Sequence, residues 1–163
     1  MAMKILVFSD SHNDIETMEK VAVKIKPDMI LHLGDHCNDA VMLEMKLNGV
    51  PVVAVRGNCD MWSDEAEERM LDLDGCRIFM THGHLYDVRS GYSLILEEGM
   101  KREADIILCG HTHIPRKIQR HGICLMNPGK AGKFARGPFK PSFGIIESCN
   151  PAGCTIEKVS EVI

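Results

Sequence analysis

Aromatic residues, paired cysteines and long apolar runs are all scarce in this chain. Aromatics make up 5% of its 163 residues, with a single Trp. No basic strip interleaved with aromatics occurs, which argues against a groove for long nucleic-acid polymers. Seven cysteines are scattered at 37, 59, 76, 109, 124, 149 and 154, an odd number with no CxxC pair. Reduced thiols in a cytoplasmic protein explain this better than a disulfide framework. No apolar stretch approaches the roughly 18 residues that would span a bilayer. The N-terminal run Ile5-Leu6-Val7-Phe8 is too short for a signal-peptide core, and Asp10 cuts it off. Excess positive charge is missing too. The formal net charge is −4, so nothing general attracts nucleic acid or an anionic membrane. Internal repeats, low-complexity tracts and linkers are likewise lacking. An apolar content of 45% and a charged content of 26% are ordinary for a globular protein. Residues 1–163 are expected to form one domain with a real core.

What the chain does have is alternation. Apolar runs of strand length occur at 4–8, 29–33, 51–55, 77–81 and 105–109. Between them lie segments with helical spacing at 13–25, 38–47 and 90–103. Asn13 or Asp14 is positioned to cap the first helix, Pro27 ends it, and Asn48-Gly49 stops the second. The segment 63–70 has no clear pattern, and its acidic run 64–68 is read as a solvated helix face. Strands alternating with helices predict a largely parallel α/β core. After Pro115 the texture changes. Residues 116–120 and 123–126 flank His121-Gly122, and 143–147 and 154–159 flank Asn150-Pro151-Ala152-Gly153. Two hairpins follow, so the C-terminal part is expected to be antiparallel.

Five short polar stretches punctuate this pattern: Asp10-Ser11-His12, Gly34-Asp35, Gly57-Asn58-Cys59-Asp60, Thr81-His82-Gly83-His84 and Gly110-His111-Thr112-His113. Four of the five directly follow an apolar run. Carboxylates, imidazoles and an amide therefore sit at strand ends, where a rigid sheet can aim them. Seven oxygen and nitrogen ligands exceed what one ion in a small site uses. They suit two ions sharing a bridging carboxylate, the arrangement of hydrolytic phosphoester chemistry. Imidazoles and carboxylates without thiolates suit Mn, Fe, Zn, Co or Ni.

In this order and at these intervals, the five stretches resemble the calcineurin-like metallophosphoesterase superfamily, whose pattern is D-x-H, G-D, G-N-H-[DE], H and G-H-x-H. The short length, Gly57-Asn58-Cys59-Asp60 and Asn127-Pro128-Gly129 look like its small YfcE-type phosphodiesterase subfamily. The resemblance covers nearly the whole chain. It implies an α/β sandwich of two mixed β-sheets flanked by helices, with metals at the C-terminal sheet edges. By that pattern Asp10, His12 and His113 would hold a first metal, Asn58, His82 and His111 a second, and Asp35 would bridge them. Asp35, Asn58, His82 and His111 form the set read as catalytic. Two divalent transition-metal ions are implied, Mn foremost, with Ni, Co, Fe or Zn as alternatives. The implied reaction is hydrolysis of a small phosphodiester by a metal-bridging hydroxide.

Two positions depart from the family pattern. Most members carry His where this chain has Cys59, and that His is thought to protonate the leaving oxygen. A thiol is a poor acid toward an alkoxide, which favours diesters over phosphomonoesters. The subfamily usually reads Asn-Pro-Gly-Ser, and here Lys130 replaces the Ser. With Lys133 and Arg136 it is expected to position a substrate phosphate. His82 and His84 compete for one ligand position; His82 sits at the strand end, leaving His84 for a supporting or substrate-facing role. Asp60 is read as a loop cap, Asp39 as a group orienting a ligand imidazole, and His32 as a satisfied core histidine. Two other functions remain open. One is a phosphomonoesterase. The other is a non-catalytic interaction module like the retromer scaffold subunit, although that lineage loses metal-site histidines and this chain keeps all seven ligands. A homo-oligomer is compatible with the resemblance.

Overall fold

The computed structural model describes residues 2–163. Each predicted core strand forms, because its side chains have two buried faces to fill. In β1 (Lys4–Phe8), Ile5 and Val7 point to one side and Leu6 and Phe8 to the other, and all four are fully buried. Such continuous apolar runs mark strands covered on both faces.

Ten strands make two five-stranded sheets. In the first, β1 pairs in parallel with β2 (Met29–His32), which pairs in parallel with β3 (Val52–Ala54). On its other side β1 runs antiparallel to β9 (Ser142–Glu147), and β10 (Cys154–Lys158) closes that edge. The second sheet is ordered β4 (Glu68–Leu73), β5 (Cys76–Thr81), β6 (Ile106–Leu108), β8 (Ile123–Asn127), β7 (Arg116–Arg120). Within it β5, β6 and β8 are parallel, and both edge strands are antiparallel.

Four layers result. The inner faces meet in a core of Ile5, Val7, Leu31, Ile78, Met80, Ile106 and Met126. Helices α1 (Ile15–Ile25) and α2 (Asn38–Leu47) cover the first sheet through Met18, Val21 and Leu43. Helix α3 (Ser93–Lys101) covers the second through Ile95, against Phe79 and Ile107. No helix among the described residues is long and apolar enough to cross a membrane.

Asp14 caps α1 by accepting from Thr17 N at 3.3 Å, and Lys26 ends it in the left-handed region just before Pro27. The third helix is shorter than its apolar spacing predicts, because a turn at 87–90 delays its start to Ser93 and a second turn at 102–103 ends it. The acidic stretch 63–70 is not a helix face, which corrects that expectation. Residues 63–67 are loop, and β4 takes over at Glu68, paired from Glu68–Thr81 to Leu73–Cys76. Three of its four acids have basic partners: Glu65 pairs with Arg69 at 2.6 Å, Glu67 with Arg56 at 3.1 Å and Glu68 with Arg102 at 2.6 Å. Ladder pairing with β5 outweighs the weak local helical preference of such residues.

Candidate metal centre

The parallel strands of both sheets point the same way, so the loops that leave their C-terminal ends converge. Asp10 and His12 follow β1, Asp35 follows β2, and Asn58 follows β3. His82 follows β5, and His111 and His113 follow β6. The structure brings six of these seven into one cluster of direct contacts. Ligand atoms of Asp10, His12, Asp35 and His113 lie within 4.8 Å of one another. His113 Nε2 is 3.1 Å from Asp10 Oδ1, and His12 Nε2 is 3.9 Å from Asp35 Oδ2. On the other side of Asp35, Oδ1 faces His82 Nε2 at 3.4 Å, and His111 Nδ1 lies 3.3 Å from that same nitrogen. Asn58 sits exposed on the adjoining loop, its amide 3.7 Å from Cys59 Sγ.

Backbone carbonyls set the imidazoles. His82 Nδ1 donates to Leu33 O at 2.8 Å and His113 Nδ1 to Arg136 O at 2.7 Å. Each ring then presents an unprotonated Nε2 to the cluster, the usual way a protein prepares a histidine for a metal. At His113 that lone pair meets a carboxylate oxygen 3.1 Å away. Two acceptors at that distance repel unless a cation or a proton lies between them. Asp10 Oδ1 and His12 Nε2 are moreover buried without a hydrogen-bond partner, which is costly unless something else satisfies them. The donor set and these orphaned atoms fit a divalent cation.

The electrostatics agree. The Asp10 carboxylate against its ring raises the His113 pKa. Burial pulls His82 down, yet hydrogen bonding to Asp35 and the charges of both carboxylates outweigh it and the net shift is upward. Burial, reinforced by the His82 charge, lowers His111 to about 4. For Asp35, burial is overcome by His82 and by the Cys59 backbone N–H, and its carboxyl falls far below the usual range. The carboxylates thus make both His82 and His113 more basic, which also favours a cation at these nitrogens.

Five of the seven candidate ligands hold left-handed backbone: Asp10 (φ 54°), His12 (43°), Asp35 (56°), His111 (70°) and His113 (61°). Such residues cost free energy and cluster at functional sites. A polar framework behind them keeps them there. Asp10 Oδ2 accepts from Ser9 Oγ at 2.7 Å and His111 N at 3.1 Å. Asp35 Oδ1 accepts from Cys59 N at 3.0 Å. Asp60 takes the N–H groups of Gly57, His36 and Cys37 at 2.8 to 3.0 Å, tying the Asn58 loop to the Asp35 loop. The glycines permit close approach. A Cβ on Gly57 would overlap Asp35 Oδ1, and one on Gly110 would overlap Ser9 Oγ and come within 2.8 Å of Asp10 Oδ2.

Two residues are placed differently from expectation. Asp39 accepts from Ser11 Oγ at 2.7 Å and Asn13 N at 2.8 Å, bracing the backbone on either side of His12 rather than a ligand imidazole. Lys130 is buried, and its ammonium donates to Ala135 O at 2.7 Å and Gly137 O at 3.0 Å. With those bonds made it is a strut for the loop whose Arg136 carbonyl holds His113, rather than a phosphate contact. His84 lies beside the His82–His111 side, its ring 5.5 Å from His82 and 6.1 Å from His111. His32 is fully buried between Ser11 Oγ at 2.9 Å and Gly34 N at 3.2 Å.

Ser9 escaped the sequence reading, and Ser11 and Asn127 entered it only within motifs, with no role assigned. Asn127 Nδ2 donates to Gly110 O at 3.0 Å and Thr112 Oγ1 at 2.9 Å, fixing the turn that carries His111 and His113. The motif Asn127-Pro128-Gly129, where a polar residue closes the apolar run of β8, marked the position but not this contact.

Fold and site together define a metallophosphoesterase architecture, and the chain belongs to the calcineurin-like phosphoesterase superfamily, whose domain matches residues 3–150. Among named relatives, a probable metallophosphoesterase of Bacillus subtilis strain 168, YsnB, is 30% identical over 127 residues, covering 78% of this chain and 74% of its own. The phosphodiesterase YfcE of Escherichia coli K12 is 28% identical over 170 residues, covering 90% of this chain and 88% of its own. A predicted phosphoesterase from Streptococcus pneumoniae TIGR4 superposes with a TM-score of 0.72 at 28% identity, over 90% of this chain and 83% of that one. Vacuolar Protein Sorting 29 from Cryptosporidium parvum superposes with a TM-score of 0.76 at 21% identity, over 90% and 85% of the two chains. That last likeness is one of fold.

Proposed function

We propose that this protein is a divalent-metal-dependent phosphodiesterase acting on small phosphodiesters, with a site for two ions. The observation that carries the reading is the placement of Asp35. One oxygen faces His12 and the other faces His82, so a single carboxylate addresses both halves of the cluster. Asp10, His12 and His113 would hold one ion, and Asn58, His82 and His111 the other, with Asp35 shared. Hard carboxylate and borderline imidazole donors suit Mn, Fe, Co, Ni or Zn, and the family resemblance puts Mn foremost. Bound there, the ions would supply Lewis acidity toward phosphate oxygens and a water made acidic near neutral pH.

The chain's own residues supply the rest. Asp35 and Asp10 balance the charge of the cations, and the Leu33 and Arg136 carbonyls keep two imidazoles in the ligating tautomer. Burial and the nearby Asp35 charge push the Cys59 thiol up to about 11, so it stays a neutral thiol at pH 7. No strong acid stands at the leaving-group position, which favours diesters whose leaving group departs without one. Relatives named as phosphodiesterases support the same choice over a monoesterase. All seven cysteines are free, in keeping with a reducing compartment such as the cytoplasm.

The test is hydrolysis of a chromogenic aryl phosphodiester and its monoester by metal-stripped protein. Mn, Ni, Co, Zn and Mg are added back singly, with Asp35→Asn as control. Diester turnover that requires metal and drops at least about a thousandfold in Asp35→Asn is the expected result. No turnover with any metal, despite two ions bound per chain, would replace this reading with a binding module.

A further inference from the structure

A groove of about 560 Å³ opens beside the metal centre, between the N-terminal end of α2 and the loop from Cys59 to Glu65. Cys59 lines it, directly after Asn58, so groove and centre share a wall. Its size is that of a small-ligand site. The loop is anchored rather than loose. Cys37 Sγ donates to Ser63 Oγ at 3.1 Å, Ser63 N to Asp60 O at 3.0 Å, and Asp60 holds the backbone of residues 36 and 37. On this fixed backbone the apolar side chains are exposed: Trp62 is 96% exposed, Met61 76% and Val41 48%. Trp62 is the chain's sole tryptophan. A bare indole next to a polar centre loses hydrophobic stabilisation for as long as nothing covers it.

The lining also has a charge bias. It contains no Lys, Arg or His. Of its carboxylates, Asp60 is committed to backbone N–H groups and Glu65 to Arg69, which leaves Asp64 at the rim. Such a groove rejects a second phosphate and accepts a neutral or cationic flat group.

We propose that this groove binds the organic arm of the phosphodiester, and that Trp62 stacks on a neutral ring of nucleobase size within it. The inference rests on the phosphodiesterase reading and gives it a substrate class: nucleoside-type diesters carrying no further phosphate on that arm. Base–aromatic stacking has the right strength and geometry for an otherwise uncovered indole.

Two esters with one leaving group test this on the metal-loaded protein: thymidine 5′-(p-nitrophenyl phosphate) and methyl p-nitrophenyl phosphate. The thymidine ester is expected to have a KM roughly tenfold below that of the methyl ester. Trp62→Ala should collapse that ratio toward one, and Trp62→Phe should keep most of it. Because position 62 is exposed, folding is not at stake. Trp62 emission gives a second readout independent of turnover. Thymidine 5′-monophosphate should quench or blue-shift it, and inorganic phosphate should not. An unchanged ester ratio in Trp62→Ala overturns the groove assignment while leaving the hydrolase reading intact. If neither ester turns over, emission decides. A thymidine monophosphate response then upholds the groove while the hydrolase reading fails, and a silent tryptophan overturns both.

Discussion

At the end of the sandwich where β1, β2, β5 and β6 finish, left-handed backbone is held by five candidate ligands, Asp10, His12, Asp35, His111 and His113, and by their neighbours Asn13 and His36. At the opposite end it belongs to Lys26, Asn48, Asp74, Glu103, His121 and Ser148. The second group is exposed throughout, each residue at or beside a turn between elements. The five ligands are buried or half-buried and converge on one point. The same φ therefore serves two ends. In the exposed turns it reverses the chain, often next to a glycine (Asn48-Gly49, Asp74-Gly75, His121-Gly122), and neighbouring structure asks nothing of the side chain. At the other end it aims ligands, and a framework of Ser9, Asp39, Asp60 and Asn127 holds the strained residues in place.

Matched glycine substitutions give the largest contrast. Gly110→Ala forces a methyl group into Ser9 Oγ and Asp10, whereas at Gly75 the space around the new Cβ is empty. Gly110→Ala should cost at least about 3 kcal/mol and abolish metal binding. Gly75→Ala, strained only by its φ of +85°, should cost about 1 kcal/mol and leave metal binding intact. Urea unfolding and metal titration of both variants read this directly. Equal losses would dissolve the distinction between the two ends.

Acid should strike the ligand end through His32. Burial lowers its pKa to about 4, below the 6.5 of a free imidazole. The unfolded chain therefore takes up a proton below pH 6.5 that the folded chain refuses until about pH 4. Stability is complete above pH 6.5 and falls with pH across that window, by about 1.4 kcal/mol per unit and about 3 kcal/mol in all. Unfolding midpoints of chelated protein, followed from pH 7 to 4, should show a shallower decline in His32→Gln than in the parent chain.

Lys130 sharpens the comparison further. If its ammonium is a strut for the Arg136 carbonyl, Lys130→Met should weaken metal binding about tenfold through His113. The loss should appear in calorimetric metal affinity as well as in turnover. A rise in KM alone, with metal affinity intact, would restore a direct phosphate contact. The smallest effect is expected at the far end. Asn48→Gly should change stability by less than about 0.5 kcal/mol, because glycine takes the left-handed C-cap at no steric cost.

Much of this was legible in advance. The runs at 4–8, 29–33 and 77–81 became β1, β2 and β5 within a residue, since each has to be apolar on both faces. Asp60 was legible as a cap because an acid three residues after Gly57 is in reach of the turn's own N–H groups. The end of the stretch 63–70 was misread because the hairpin signal that makes it a strand, Asp74-Gly75 between β4 and β5, lies outside the stretch itself. Lys130 was misread for a related reason. A lysine beside glycines looks free in the sequence, and only the path of residues 135–137 supplies the carbonyls that bury it.

The sequence by itself determined which residue types stand at the strand ends, and with them a layered α/β fold and a donor set of carboxylates and imidazoles. An unbroken apolar run of strand length is a local pattern, so it survives in one dimension. Only the tertiary structure decided which oxygen of Asp35 meets which histidine, which carbonyls fix the imidazole tautomers, and that Trp62 stands uncovered beside the centre. Those facts depend on contacts between residues up to a hundred positions apart, such as Asp10 with His111, and they exist only once two sheets have been packed face to face.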